Sequence, residues 1–214
     1  MKKIIAFDCD STLSAIEGVD ELARIAGDQI FQEVENLTNL AMDGEVPVED
    51  VFARRLDLIK PTRAQCAEVG RMYLNTIEPT AKETIKKLQD QGWECLIISG
   101  GFEPCIAPLA RELGIARVEA VPLQFDVGGR YLGFDKNYPT TRSGGKPEII
   151  RSIRAEIGPS KFVMVGDGAS DLEAGSEVDA FIGFFRYVER DSVAQNCNAH
   201  AFSISEIIET HLDF

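Results

Sequence analysis

The chain has 214 residues, 44% of them hydrophobic, and sets 35 acidic against 22 basic side chains for a formal net charge of −13. That length fits one large domain, or one domain with an insertion, and buries enough surface to need neither disulfides nor a metal for its core. The acidic balance opposes general attraction to nucleic acid or to an anionic membrane, and no apolar stretch approaches the ~20 residues of a membrane span.

Residues 2–7 form a short apolar run that stops at Asp8-Cys9-Asp10. It is too short for the apolar region of a secretion signal, so a cytoplasmic protein is expected. The five cysteines (Cys9, Cys66, Cys95, Cys105, Cys197) are odd in number, contain no CxxC pair and read as reduced thiols. Asn36-Leu37-Thr38 then matches a glycosylation sequon by chance.

The stretch 14–76 is helical in pattern, with segments expected at roughly 18–26, 29–42, 48–59 and 63–74. Asp43-Gly44, Pro47 and Pro61 separate them, and no strand intervenes. It reads as a helical cap subdomain (14–76) inserted into an α/β core made of 1–13 and 77–214. Residues 80–91 place Ala81, Ile85 and Leu88 on one helix face, with Pro79 ahead and Gly92 behind. Further strands are expected at 93–98, 162–165 and 181–185, ending near polar or glycine residues as buried strands do at a sheet edge. Residues 118–126 and 131–135 flank Gly128-Gly129 and read as a hairpin on the sheet's edge. Helix spacing returns at 148–157 and 204–212. The alternation predicts a doubly wound, mostly parallel sheet of Rossmann type, with its site beyond the carboxyl ends of the strands.

Three polar clusters stand at those ends: Asp8-Cys9-Asp10-Ser11-Thr12, Ser99-Gly100-Gly101 and Gly166-Asp167-Gly168-Ala169-Ser170-Asp171. A fourth, Gly144-Gly145-Lys146, precedes a helix. A parallel sheet would bring Asp8, Asp10, Asp167 and Asp171 within a few ångströms of one another. Such carboxylates cannot all stay ionised without a cation, and an all-oxygen donor set points to Mg²⁺. Lys146 and Ser99 add the charge and donors that suit a phosphoryl group, and glycines permit close backbone approach.

The Asp8–Leu13 segment resembles the first motif of the haloacid dehalogenase superfamily. Ser99 matches the second motif, Lys146 the third and GDGASD (166–171) the fourth, in order and over nearly the whole chain. Within that superfamily DSTL, EGVDELA (17–23), PVEDVFARRL (47–56), ISGGF (98–102) and SGGK (143–146) resemble the phosphoserine phosphatase family. The resemblance implies a Mg²⁺-dependent phosphomonoester hydrolase that releases serine and phosphate from L-phosphoserine, in the last step of serine biosynthesis. Asp8 is then the nucleophile that carries an aspartyl-phosphate, and Asp10 the acid and base of the two displacements. Asp8, the Asp10 carbonyl, Asp167 and Asp171 hold the metal. Ser99 and Gly100 meet the phosphoryl group, and Lys146 offsets its charge.

In the inserted helices, the resemblance sets Glu17 against the substrate ammonium and Arg55 against its carboxylate, with Met42 and Val48 as apolar walls and Arg190 nearby. The pattern departs from the family after Ile182-Gly183-Phe184, where glycines are common and Phe185, Arg186 and Tyr187 follow here. That bulk and charge are expected to reshape access to the pocket. Rival readings are a phosphatase or phosphotransferase of another small metabolite (phosphohomoserine, a phospho-sugar) and, further off, a receiver-type signalling domain. Receivers lack the acid two residues past the nucleophile. The expected partner is a small phosphorylated amino acid, with no nucleic acid or membrane, on a monomer or homodimer; His200 and His211 read as packing or surface residues.

Overall fold

The computed structural model describes residues 1–42 and 48–210. The N-terminal apolar run forms β1 (Lys2–Phe7), whose last four residues are buried. Both its edges are paired in parallel, with β2 (Trp93–Phe102) and β6 (Ser160–Gly166), so that Phe7 stands opposite Ile97 and Val165. β3 (Arg117–Val121) flanks β2, while β7 (Ala180–Phe184) and β8 (Ala199–Ala201) extend the other side, all in parallel. The order β3-β2-β1-β6-β7-β8 reverses direction between β1 and β6. The connections leaving these two strands diverge, which opens a crevice at their carboxyl ends.

A strand buried on both faces feeds two apolar layers with alternate residues. Ile5 and Phe7 of β1 join one buried cluster, and Ile4 and Ala6 the other. Four helices, α1 (Gly18–Ala26), α2 (Asp28–Met42), α3 (Val48–Ile59) and α4 (Arg63–Asn75), lie between β1 and α5 (Ala81–Asp90), as the pattern of the sequence predicts. Many of their buried residues, among them Leu22, Phe52, Leu56, Val69 and Tyr73, belong to the same cluster as Ile5 and Phe7. The inserted helices therefore share an apolar layer with the sheet. Thr62 starts α4 through a reciprocal pair of bonds, its hydroxyl accepting from Gln65 N (3.2 Å) and the Gln65 side chain accepting from Thr62 N (2.8 Å).

The insertion leaves and rejoins the sheet at one point. Ser14 and Ile77 form an antiparallel bridge, Ala15 N donates to Thr76 O (3.0 Å), and Glu78 N donates to Leu13 O (2.9 Å). The two hydroxyls of Ser14 and Thr76 lie 2.7 Å apart.

α6 (Glu103–Glu112), α7 (Gly145–Ile157), α8 (Ala169–Ala174), α9 (Asp191–Ala194) and α10 (Ile204–Thr210) complete the layers. α6, with prolines at 104 and 108, and the short α8, α9 and β8 escape a reading by periodicity. The expected hairpin divides. Pro122 has no N–H to continue a ladder, so residues 117–121 join the main sheet as β3. Only β4 (Leu123–Phe125) pairs with β5 (Tyr131–Phe134), in a separate two-stranded sheet. No helix among the described residues is long and apolar enough to cross a membrane.

Candidate active site

β1 delivers Asp8 and β6 delivers Asp167 to the two sides of the crevice, and Asp8 N donates to Val165 O at 2.8 Å. Asp171 comes from the first turn of α8. Its Oδ2 accepts from Gly168 N (3.0 Å), so it caps its own helix while Oδ1 accepts from Lys146 Nζ (2.5 Å). That carboxyl lies against the end of β6 because residue 166 is glycine: a Cβ there would stand 2.2 Å from Asp171 Cγ. Lys146, at the start of α7, also reaches Asp8 Oδ2 at 3.0 Å.

Asp8, Asp167 and Asp171 each offer a carboxylate oxygen, all within 4.8 Å of one another. Burial and then the charge of Asp8 push Asp167 up to about 6. Burial pushes Asp171 up to about 8, in spite of Lys146. Burial opposes the Lys146 charge, but Asp171 and Asp8 outweigh it and hold the ammonium above the ordinary lysine range. Thr12 Oγ1 donates to Asp167 Oδ1 (3.1 Å), and the Arg190 guanidinium donates to its Oδ2. Three crowded carboxylates, of which Asp167 and Asp171 are pushed toward protonation by burial, fit a hard divalent cation, since such an ion removes the penalty of charging them. Of the trio, Asp8 keeps the most exposed side chain, 13% against 4% and 0% for Asp167 and Asp171.

Asp10 is not part of that trio. The turn after Asp8 carries Ser11 at a φ of 49° and is closed by Ser14 N donating to Cys9 O (3.1 Å), and it turns Asp10 into a neighbouring cavity. The cavity, about 180 Å³, is walled by Asp10, Glu17, Phe52, Arg55, Gly100 and Thr140, among others. Burial first, then Glu17 and Asp8, raise Asp10 well above the carboxylate range. Burial likewise lifts Glu17 to about 7, although Ser11 Oγ donates to it at 2.6 Å. Burial lowers Arg55, while Asp20, Glu17 and Asp10 support its charge. Arg55 Nη1 donates to Thr38 Oγ1 at 3.4 Å, and its Nε is buried without a partner. Ser99 Oγ accepts from Gly101 N (3.0 Å), which leaves its own proton available.

The structure thus gathers Asp8, Lys146, Asp167 and Asp171 in one cluster, and Asp10, Glu17, Arg55 and Gly100 around the adjoining cavity. Arg190 sits on Asp167 and does not line that cavity. The side chains of Met42 and Val48, and all of His211, lie outside the described residues. Tyr73, which donates to Asp10, and the Ser11 and Thr12 hydroxyls carry no separate role in the sequence reading.

The family pattern's departure at 185–187 does not reach the cavity. Phe185 is buried in the other apolar layer, edge-on to His200 with ring centroids 5.1 Å apart. Arg186 donates to Phe202 O (3.4 Å) and faces Glu78 (3.7 Å), while the Tyr187 ring packs 6.0 Å from that of Phe184. None of the three is in the cavity wall: Phe185 enters the layer opposite Phe184, as consecutive residues of a strand do, and Arg186 and Tyr187 are held by the contacts just given.

A model of haloacid dehalogenase-like hydrolases matches residues 2–179. The phosphoserine phosphatase of Mus musculus is 36% identical over 206 residues, covering 95% of this chain and 91% of that protein. The chain belongs to the phosphoserine phosphatase family of the haloacid dehalogenase-like hydrolases. Two solved structures of phosphoserine phosphatases resemble it closely. One, described as a phospho-aspartyl intermediate analogue, has a TM-score of 0.82 at 28% identity, covering 97% of this chain and 98% of the other. The other, a substrate-bound complex, has a TM-score of 0.82 at 27% identity and covers 98% of each chain. The fold and enzyme class expected of a phosphoserine phosphatase are those of this chain.

Proposed function

We propose that this phosphatase hydrolyses L-phosphoserine, with Mg²⁺ at the carboxylate trio and Asp8 as the attacking group. The observation that carries the reading is the cavity beside Asp8, where Glu17 and Arg55 present opposite charges to one small space. Phosphoserine brings an ammonium and a carboxylate next to its phosphate, so one carboxylate and one planar cation suffice to orient it. Residues 14–76 serve as the cap that supplies this selectivity, and residues 1–13 and 77–214 as the core that supplies the chemistry. The buried free thiols suit a cytoplasmic setting.

In the first displacement an Asp8 oxygen bonds to phosphorus as the bond from phosphorus to the serine oxygen breaks. Asp10 gives its proton to that oxygen. In the second, water attacks the aspartyl-phosphate, its proton passes to Asp10, and Asp8 is released as a carboxylate. Asp8 has the exposed edge that attack requires. Lys146 holds Asp8 and Asp171 in place and offsets charge on the phosphoryl oxygens, while the Ser99 hydroxyl donates to one of them. When bound by Asp8, Asp167, Asp171 and the Asp10 carbonyl, Mg²⁺ supplies Lewis-acid stabilisation of the phosphoryl oxygens.

A panel of phosphate esters ranked by kcat/KM, with Mg²⁺ and with a chelator, tests the reading. Phosphoserine should lead phosphohomoserine and sugar phosphates, and turnover should vanish with chelator and return with Mg²⁺. Asp8→Asn should abolish turnover while the fold remains intact by circular dichroism. A different preferred ester would overturn the substrate, and an active Asp8→Asn would overturn the nucleophile.

A further inference from the structure

Asp10 projects from the loop after β1, yet the groups that hold it come from the inserted helices. Its Oδ1 accepts from the backbone N–H of Gly18 at the start of α1 (3.1 Å) and from the hydroxyl of Tyr73 on α4. Two donors fill the lone pairs of that oxygen, so in the acid form the proton belongs on Oδ2. Oδ2 lies toward Gly101 and Ser99, whose hydroxyl is assigned above to the phosphoryl oxygens: a Cβ built on Gly101 would stand 3.2 Å from Oδ2 and 3.3 Å from Ser99 Oγ.

Tyr73 is fully buried. Its hydroxyl has room only because residue 18 is glycine, since a Cβ there would meet it at 2.1 Å. Gly18 is not among the glycines with positive φ, so its backbone does not demand glycine. The space is what the glycine provides.

We infer that Tyr73 is a positioning residue for proton transfer, acting through Asp10. It turns the carboxyl so that Oδ2 carries the proton toward the leaving oxygen, which rests on the role given to Asp10 above. As the Asp8–phosphorus bond forms and the phosphorus–oxygen bond breaks, the proton leaves Oδ2 for the ester oxygen. Oδ1 keeps both its donors throughout, and the proton taken from water later returns to Oδ2. The Tyr73 proton does not move.

The test is the dependence of rate on the leaving group. Tyr73→Phe, which removes one oxygen, is assayed on phosphoserine and on aryl phosphates of graded leaving-group basicity. A poor leaving group needs a well-aimed acid and a good one does not. The kcat and kcat/KM for phosphoserine should fall about 10–100-fold with KM within about threefold, and kcat/KM for 4-nitrophenyl phosphate by less than about threefold. Gly18→Ala, which displaces the phenol and leaves its hydroxyl in the chain, should shift the same ratio in the same direction. Equal losses across the series, or none, would overturn the inference, because damage to the fold alone lowers all substrates together. Asp10→Asn measured alongside separates the two levels. If it too loses all esters equally, the acid assignment itself fails; if it alone depends on the leaving group, only the role of Tyr73 fails.

Discussion

With the role proposed for it above, Glu17 sets binding against stability. Burial raises its carboxyl from 4.5 to about 7. Below about pH 4.5 the group is protonated in the folded and unfolded chains alike, and stability does not depend on it. Between 4.5 and about 7 the unfolded chain releases the proton while the folded chain retains it, so stability falls as pH rises, by up to about 1.4 kcal/mol per unit. The ceiling above pH 7 is about 3 kcal/mol, which partial exposure at the cavity reduces to about 2 kcal/mol. Glu17→Gln keeps an oxygen for Ser11 and has no proton to lose. Urea unfolding with a chelator present should find the variant about 2 kcal/mol more stable at pH 8 and nearly level with the parent at about pH 4. With Mg²⁺, kcat/KM of the parent for phosphoserine should climb as pH approaches 7, because only ionised Glu17 attracts the ammonium; the variant should be slow and lack that climb. Parallel stability curves for the two proteins, or a variant less stable at pH 8, would mean that burial does not raise the Glu17 carboxyl.

Arg55→Ala should raise KM for phosphoserine about 10–100-fold, the worth of charge-assisted bonds to a carboxylate, and spare 4-nitrophenyl phosphate; equal losses would remove Arg55 from substrate recognition. Phe185→Ala should cost about 3–4 kcal/mol in chemical denaturation, as for other buried phenylalanines, with the ranking of substrates unchanged. A changed ranking with little loss of stability would restore Phe185 to the pocket.

Much of this site is legible in the sequence because each strand announces itself as an apolar run that stops at a charged or small residue. β1 ends at Asp8 and β6 is followed by Asp167, and parallel pairing brings both to one edge without further information. Asp171 and Lys146 follow from helices that begin beside those ends. Tyr73 is not legible. It lies on the buried side of α4 like Val69, and only the folded chain returns its hydroxyl to Asp10, 63 positions earlier. The position of Phe185 is hidden for a related reason: adjacency to Phe184 in the sequence gives no sign that the two enter different apolar layers. β3 is obscured by Pro122, whose effect depends on which neighbour each half of the segment finds.

The clasp at Ser14 and Ile77 has an evolutionary consequence. A segment whose two ends are fastened side by side can lengthen or change its content cheaply, each doubling adding only about 0.6 kcal/mol of closure entropy. On the division of labour proposed above, descendants of such a chain would be free to rewrite what they recognise between those anchors while the strand carrying Asp8 stays as it is. Tyr73 bounds that freedom, since any replacement must bring a donor of its own back to Asp10.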